Sequence, residues 1–508
     1  MQAVQAARAV QAEALELERK GDAAGAVAAY EAALAHAPED GDLLAGLAHL
    51  AERIGAPPLA LSVWGLLLAQ DPGRLEAVEG RARALAHLGR PDEAQAVLRA
   101  AVLARPAEPG LWTALGVLAN QQADAEGALI YFDEAVRLDP TSAAPRHNRG
   151  GVRLELGDLD AAAEDFAAAR SLAHTPSDRA AIDLACAFVA LCRGDLAGGW
   201  RGYEARLSPD RPDRPVFHAP GERWQADAPL AGRRLLVMGE QGVGDQVMFA
   251  NFLADAARAV GPDGALSVAV DPRLVGLIQR SLPQARVSAL ATERLGGRVH
   301  HRLASPPDGG IDLWAPIGSL AQRLRSSVAE FPSEPAYLKP DPARVAEWRR
   351  WLGDGPPALG ITWRSRKLDA ERRRSYPPLQ AWRPIVSAAG VRIVNLQYGH
   401  APEELAELEA LGGRPVLTPP RLDLFDDLEG VAALSAALDL VVGPPNATAV
   451  LAAACGVAVA FLDPACFWRR LGAAAYPWHP RARSFPAENG GWERAMAGVA
   501  AELGRLAG

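Results

Sequence analysis

Two glycines precede a carboxylate in Gly242-Val243-Gly244-Asp245, just downstream of the apolar run Leu235-Leu236-Val237. Glycine at 242 and 244 lets a chain turn from strand into helix without a Cβ clash and approach a ligand closely. Asp245 then falls at or near the helix N-terminus, at the carboxyl edge of a sheet, where open α/β folds bind their ligands. A carboxylate there either caps the helix or faces the ligand. Glu240 and Gln241 line the same pocket or support it from behind. A second stretch, Arg364 to Arg374, holds six basic residues among eleven. Arg364 directly follows an apolar strand pattern, and Arg374 with Ser375 opens a helical one, an arrangement that suits an anion. A plain solvated basic loop has the same composition. In a third stretch, Gly443-Pro444-Pro445-Asn446-Ala447-Thr448, a strand pattern ends and a small-residue helix begins. Asn446 or Thr448 is its expected cap, and the exposed helix tip suits a phosphate or a sugar.

Other chemistries fail on spacing. A dinucleotide fingerprint needs a third glycine at position 247, where Val247 stands, and a Walker loop needs a Gly-Lys-Ser/Thr ending that is absent. The acidic pair Asp158 and Asp160 lies in a repeat turn. His300 and His301 are adjacent, so they face apart on an extended chain and make a poor ligand pair. No metal requirement is expected. Trp363, Tyr376, Trp468 and Trp478 have the shape to stack on rings, but aromatics in such places more often fill cores.

These stretches need elements to hold them. At 508 residues the chain exceeds one core, so two to four domains are expected. A net charge of −8 argues against a general nucleic-acid binder. The four cysteines, at 186, 192, 455 and 466, form no CxxC and no disulfide framework, so reduced thiols are expected. No apolar span of about 20 residues appears, and the first residues read as an amphipathic helix rather than a signal peptide. A soluble cytoplasmic protein is the expectation.

Prolines recur at 38, 72, 106 and 140, one every 34 residues. Ala26, Ala60, Ala94 and Ala128 keep the phase, as do Tyr30, Trp64, Leu98 and Phe132. This period resembles the tetratricopeptide repeat, a helix-turn-helix unit. Small residues let paired helices approach, large ones fill the gap, and proline stops the second helix. A fifth unit and a looser sixth extend the array over 1–207. Such arrays are mostly protein- or peptide-binding surfaces; a rigid spacer or oligomerisation arm is the plainer reading. Gln11, Ala45, Glu79, Thr113 and His147 share one groove slot without repeating, which favours side-chain-specific docking.

Residues 208–230 carry five prolines and no helical period, the mark of a linker or draped loop. Apolar runs then alternate with helical stretches, which predicts parallel, doubly wound sheets. A proline-rich interruption at 331–357 divides them into two Rossmann-like domains, 231–340 and 341–490. A helix within 491–508 is expected to cross back over the hinge. The expected fold class is an all-α repeat superhelix followed by an α/β pair of this kind.

The blocks "LLVMGEQGVGDQVMF", "LDPRLVGLIQRSLP", "RRRSYPPLQAW", "IVNLQYG" and "ALDLVVGPPNATAVLAAACGVAVAFLDP" resemble, in order, the heptosyltransferase-like GT-B domain that follows tetratricopeptide arrays in many bacterial proteins. The variant with "NLQYG", "PPNA", "LDPACFW" and "YPWHP" looks most like alphaproteobacterial flagellin glycosyltransferases. The resemblance implies an array that holds flagellin and a catalytic half that transfers a nonulosonic acid, of pseudaminic or legionaminic type, from its CMP conjugate. It implies no cofactor beyond that nucleotide-sugar donor. It casts Asp245 as the general base, with Gly242 and Gly244 shaping its loop. It puts Arg364, Arg366, Lys367, Arg374, Ser375, Gln397, Tyr398, Asn446, Ala447 and Thr448 on the donor side. One departure is clear: the heptosyltransferase Asp-Thr-Gly-Leu-x-His is replaced by residues 445–450, Pro-Asn-Ala-Thr-Ala-Val, which puts an ADP-heptose donor in doubt. A transferase using a UDP- or ADP-sugar on another protein or a surface glycan, and a non-catalytic adaptor, remain the alternatives.

Overall fold

A computed structural model of the chain describes residues 2–295, 297–305, 309–366, 375–487 and 491–507. Among them the first twelve helices, Gln2–Arg19 through Leu196–Tyr203, form six antiparallel pairs. The 34-residue phase is a packing phase. Ala26, Ala60, Ala94 and Ala128 are fully buried, and Tyr30, Trp64, Leu98 and Phe132 fill the space they leave. Aromatic rings seat directly on helix backbones: a Cβ at Gly80 would lie 2.3 Å from the Trp64 ring, and one at Gly116 would lie 2.5 Å from Phe132. Four of the six turns within pairs share one device, and the other two start their second helix with proline instead. Asp22, Asp124, Asp158 and Asp195 each cap the second helix by accepting from the backbone N–H three residues on.

Two sheets follow. The first has seven strands: β1 (Val216–His218), β2 (Glu222–Arg223), β3 (Arg234–Met238), β4 (Ala265–Val270), β5 (Arg286–Leu295), β6 (Arg298–Leu303) and β7 (Leu313–Pro316). Their spatial order is β1-β6-β5-β4-β3-β7-β2, parallel except for the β5–β6 hairpin. The second sheet holds β8 (Ala358–Ile361), β9 (Arg392–Asn395), β10 (Leu440–Gly443), β11 (Val459–Asp463) and β12 (Ala482–Pro486) in the order β12-β11-β10-β8-β9. All its pairs are parallel. In both sheets the strand order reverses beside the first long strand, between β3 and β7 and between β8 and β10. Those reversals open the crevices in which doubly wound sheets bind ligands.

Two expectations need correction. The 208–230 stretch is not a linker: β1 and β2 lie within it and pair in parallel with β6 and β7, closing opposite edges of the first sheet. Its prolines sit outside those two short strands, as edge strands require. The Glu493–Ala507 helix does not cross back between sheets. Met496, Val499 and Leu503 pack with Trp382, Ile385 and Leu359, on the second sheet.

The array is not a separate body. One continuous apolar core contains Leu191, Trp200 and Tyr203 of the last repeat, Val237 and Phe249 of the first sheet's unit, and Val450 and Trp478 of the second's. Among the described residues no helix is long and apolar enough to cross a membrane.

Candidate functional site

The Gly242-to-Asp245 turn leaves the carboxyl end of β3 at the first crevice. Gly242 occupies the N-cap position of the short Val243–Phe249 helix in extended backbone geometry, and no side chain caps that helix. Asp245 therefore does not act as the N-cap; it lies in the first turn, with a side chain 18% exposed. Across from it stands the Ala447–Ala454 helix, which leaves β10 at the second crevice. The two helix tips touch: a Cβ at Gly244 would lie 3.3 Å from Ala447 Cα. Glycine is needed here for close approach, since its φ is unexceptional. The carboxyl edges of the two sheets thus meet at Gly244 and Ala447.

On the second side, three strand ends are tied by one buried network. Asn446 caps its helix by accepting from Ala449 N at 3.1 Å, while its Nδ2 donates to Thr362 Oγ1 at 2.8 Å and to Arg364 O at 3.2 Å. Thr362 Oγ1 donates to Gln397 Oε1, which also accepts from the backbone N–H groups of Trp363 and Arg364. Gln397 Nε2 donates to the carbonyls of Arg364 and Tyr398. The amides of Asn446 and Gln397 are thus committed to the backbone after β8 and hold it for a ligand rather than reaching one. Arg364 is likewise engaged. Its Nε donates to Glu404 at 2.7 Å, and Glu404 also accepts from the Trp363 indole.

Arg366 is placed differently. Its guanidinium lies 4.9 Å from the Phe425 ring centroid, and Arg273, which follows β4, covers the same ring at 4.9 Å. Tyr398 faces that ring at 6.2 Å. An arginine from each half and two aromatics thus line the crevice beyond the helix tips. Beside them a depression of about 210 Å³ is lined by Trp363, Asn395, Gln397, Gly399, His400 and Leu405. Thr448 is buried, Ala447 and Ser375 are partly exposed, and Lys367 and Arg374 lie outside the described residues. Among the described residues no three His, Cys, Asp or Glu side chains converge as a metal cage. His300 and His301 do face apart: His301 is buried against Phe217, and His300 meets the exposed His218.

Sequence reading missed the residue nearest the carboxylate. Arg469 donates to Asp245 Oδ1 from a loop beyond β11, and its guanidinium lies between the Phe467 and Trp468 rings at 5.3 and 5.4 Å. The run "CFWRR" carried no spacing signal for this contact, since 224 positions separate the partners. Behind Arg469, Asp463 ends β11 fully buried; burial pushes its carboxyl up to about 6, opposed by a bond from the Ser484 hydroxyl. His479, stacked between Tyr337 and Tyr476, is held down to about 3 by burial. Trp363 and Trp478 are core residues, 2% and 0% exposed.

The last repeat supports both loops. Glu240, fully buried, accepts from Arg206 at 2.7 and 2.9 Å and from Gly318 N at 2.8 Å. Gln241, in left-handed geometry at φ 59°, donates to the Tyr203 hydroxyl at 2.6 Å. Glu240 is enclosed and supports the turn from behind, while the exposed Gln241 ties it to the array through Tyr203. The Arg469 loop is fastened by the same repeat: Trp468 packs on Phe188, Trp200 and Tyr203, Gly472 abuts Gly194, and Cys466 Sγ lies 3.1 Å from Cys192 Sγ.

Comparison with known proteins gives this arrangement relatives. The tetratricopeptide-repeat family model matches residues 12–74 and 79–143, so the helical array is a tetratricopeptide array. Protein FlbA of Caulobacter vibrioides is 42% identical over 495 residues, covering 96% of this chain and 83% of that protein. Tetratricopeptide repeat protein 8 of Caenorhabditis elegans is 27% identical over 153 residues, 30% of each chain. Among solved structures, a thermophilic TPR protein of Thermus thermophilus is 22% identical, covering 35% of this chain and 98% of its own, at a TM-score of 0.31. Pseudomonas aeruginosa pilF is 19% identical, covering 41% and 95%, also at 0.31.

Proposed function

The chain belongs to the family of Protein FlbA, and from that premise we propose that it is a flagellar protein O-glycosyltransferase of GT-B architecture. On this reading the array recruits flagellin, and the crevice between the two sheets transfers a nonulosonic acid from a CMP-sugar to serine or threonine. The observation that carries the reading is the meeting of Asp245's helix tip with the Ala447–Ala454 helix tip, each at the reversal point of its own doubly wound sheet. Facing crevices of that kind suit a bisubstrate reaction.

The chemistry assigns roles by charge. The acceptor oxygen attacks the anomeric carbon, and its proton passes to the Asp245 carboxylate, since a serine hydroxyl is a poor nucleophile until it loses that proton. The bond from the anomeric carbon to the phosphate oxygen breaks, and its electron pair leaves on CMP. Positive charge and a helix N-terminus stabilise that departing phosphate. Arg366 and the tip of the Ala447–Ala454 helix supply both in the crevice, while Arg364, Gln397 and Asn446 shape the loop that carries them. Attack opposite the leaving group inverts the anomeric centre. Array binding raises the local concentration of flagellin at the crevice.

The test is intact-mass measurement of flagellin from cells carrying wild-type protein, no protein, or Asp245→Asn. The expected result is a glycan mass present only with wild type, and a transfer rate reduced by about 10²-fold or more in the variant. Flagellin of unchanged mass in all three strains refutes the assignment. An altered surface glycan with unmodified flagellin would instead favour a polysaccharide acceptor.

A further inference from the structure

Asp245 and Arg469 hold each other at the place where a transfer reaction asks both for something else. One oxygen of the carboxylate, Oδ1, accepts from a guanidinium N–H, and that positive charge makes the carboxylate a weaker base while the pair lasts. The side chains are 18% and 16% exposed, so the pair is reachable from the crevice. Arg469 is not spare structural charge. Its Nε is buried and has no hydrogen-bond partner among the described residues. Its backbone is anchored: the Trp468–Arg470 turn ends at Leu471 in left-handed geometry at φ 53°, and Gly472 abuts Gly194 of the array. The guanidinium thus rises from an anchored backbone, partly satisfied, and among the described residues its ion-pair partner is Asp245. Arg364, in contrast, is bound to Glu404, away from Asp245.

Resting on the transferase reading above, we propose that Arg469 is a positioning residue that exchanges partners, holding Asp245 until a nucleotide-borne phosphate arrives and then moving to that phosphate. A phosphate offers more charge and a two-point acceptor for a guanidinium than a single carboxylate oxygen does. The exchange leaves Asp245 free at the moment the donor is seated. It also makes the carboxylate a competitor of the donor for one arginine. Donor binding then bears the cost of parting the pair, and removing the carboxylate's charge removes that cost.

The experiment is a double-mutant cycle on the full-length protein, with CMP and, separately, UDP titrated by calorimetry. Asp245→Asn is expected to bind CMP about tenfold tighter than wild type, and Arg469→Gln about tenfold weaker. In the double variant, the Asp245→Asn gain should shrink to within about twofold, because no arginine remains to be released. If the gain persists undiminished in the Arg469→Gln background, simple repulsion between carboxylate and phosphate explains it, and the exchange is wrong. Equal affinity of wild type and Asp245→Asn also overturns it while leaving the transferase reading intact. Absence of saturable binding of either nucleotide to wild type overturns both. Should Arg469→Gln fail to fold, Arg469→Lys serves in its place, with the same contrast between backgrounds expected at smaller amplitude.

Discussion

Asp463 shows how one side chain ties this site to pH. It ends β11 with no exposure; its Oδ2 accepts from Ser484, and its Oδ1 has no partner among the described residues. Burial raises its carboxyl from the ordinary 3.8 to about 6. A raised folded value means the fold favours the protonated form. The stabilisation is fully present below about pH 3.8 and is lost as pH rises through about 6. At pH 7.5 the ionised, buried Asp463 therefore costs on the order of 2–3 kcal/mol. Asp463→Asn should melt higher than wild type at pH 7.5, with the difference shrinking toward zero near pH 4; a melting series across that range measures it. His479, held down to about 3 from 6.5, works in the opposite sense. The unfolded chain takes up its proton first as pH falls below 6.5, so this residue destabilises the fold toward acid. His479→Phe should flatten that acid limb in the same series.

Among the elements, the glycine turn after β3 is the most constrained. Glu240 joins it to Arg206 at the end of the array, and that pair is fully enclosed with Ser319 and Gly318 N as further partners. Breaking an enclosed pair by removing one member strands the other charge, at about 3–5 kcal/mol. Arg206 keeps a second carboxylate, Glu204, at 2.7 Å, so Glu240→Ala should lower stability by the lower end of that range, about 3 kcal/mol, in denaturant melts. Replacing both members with apolar residues of similar volume should recover much of it. The neighbouring helix tip leaves little room for a side chain, because Ala447 backbone lies 3.3 Å from a Cβ at Gly244: Gly244→Val should separate the two tips and, on the proposed transferase reading, lower flagellin modification sharply at a smaller stability cost than Glu240→Ala. The elements legible in sequence were the doubly buried ones. Leu235–Met238, Leu266–Val270 and Val457–Leu462 read as apolar runs and fall on β3, β4 and, two residues early, β11, where nearly every side chain is buried. β5 is mostly exposed, β6 is half-buried and rich in Arg and His, and β12 carries one buried residue, so no apolar run announced them. β1 and β2 are three- and two-residue edges whose existence depends on β6 and β7.

At the level of the entire chain, the array and the two sheets form one structure with a shared core. The sixth repeat fastens the Asp245 turn through Tyr203 and Arg206 and the Arg469 loop through Cys192, Phe188 and Trp200. The Cys192–Cys466 contact makes this docking measurable. Proximity to the Cys192 thiol lowers the Cys466 thiol below its ordinary value, which favours its thiolate. Treatment with diamide, which takes two electrons and two protons from a pair of thiols, should link these two residues within one chain. Peptide mapping without reductant should recover the linked pair, and Cys192→Ser should remove it. Failure to form the link in folded wild-type protein would mean that the repeat does not sit against the second sheet.

The 34-residue phase, the strand-helix alternation and the glycines before Asp245 were all readable along the chain, because each reflects a periodicity or a local backbone need set by near neighbours. The partner of Asp245 was not, nor were the edge strands hidden in a proline-rich stretch or the repeat that clamps both loops. Those contacts join positions as far apart as 224 residues. No local propensity encodes which distant guanidinium a carboxylate meets; only the packing of two sheets and an array into one core brings them together.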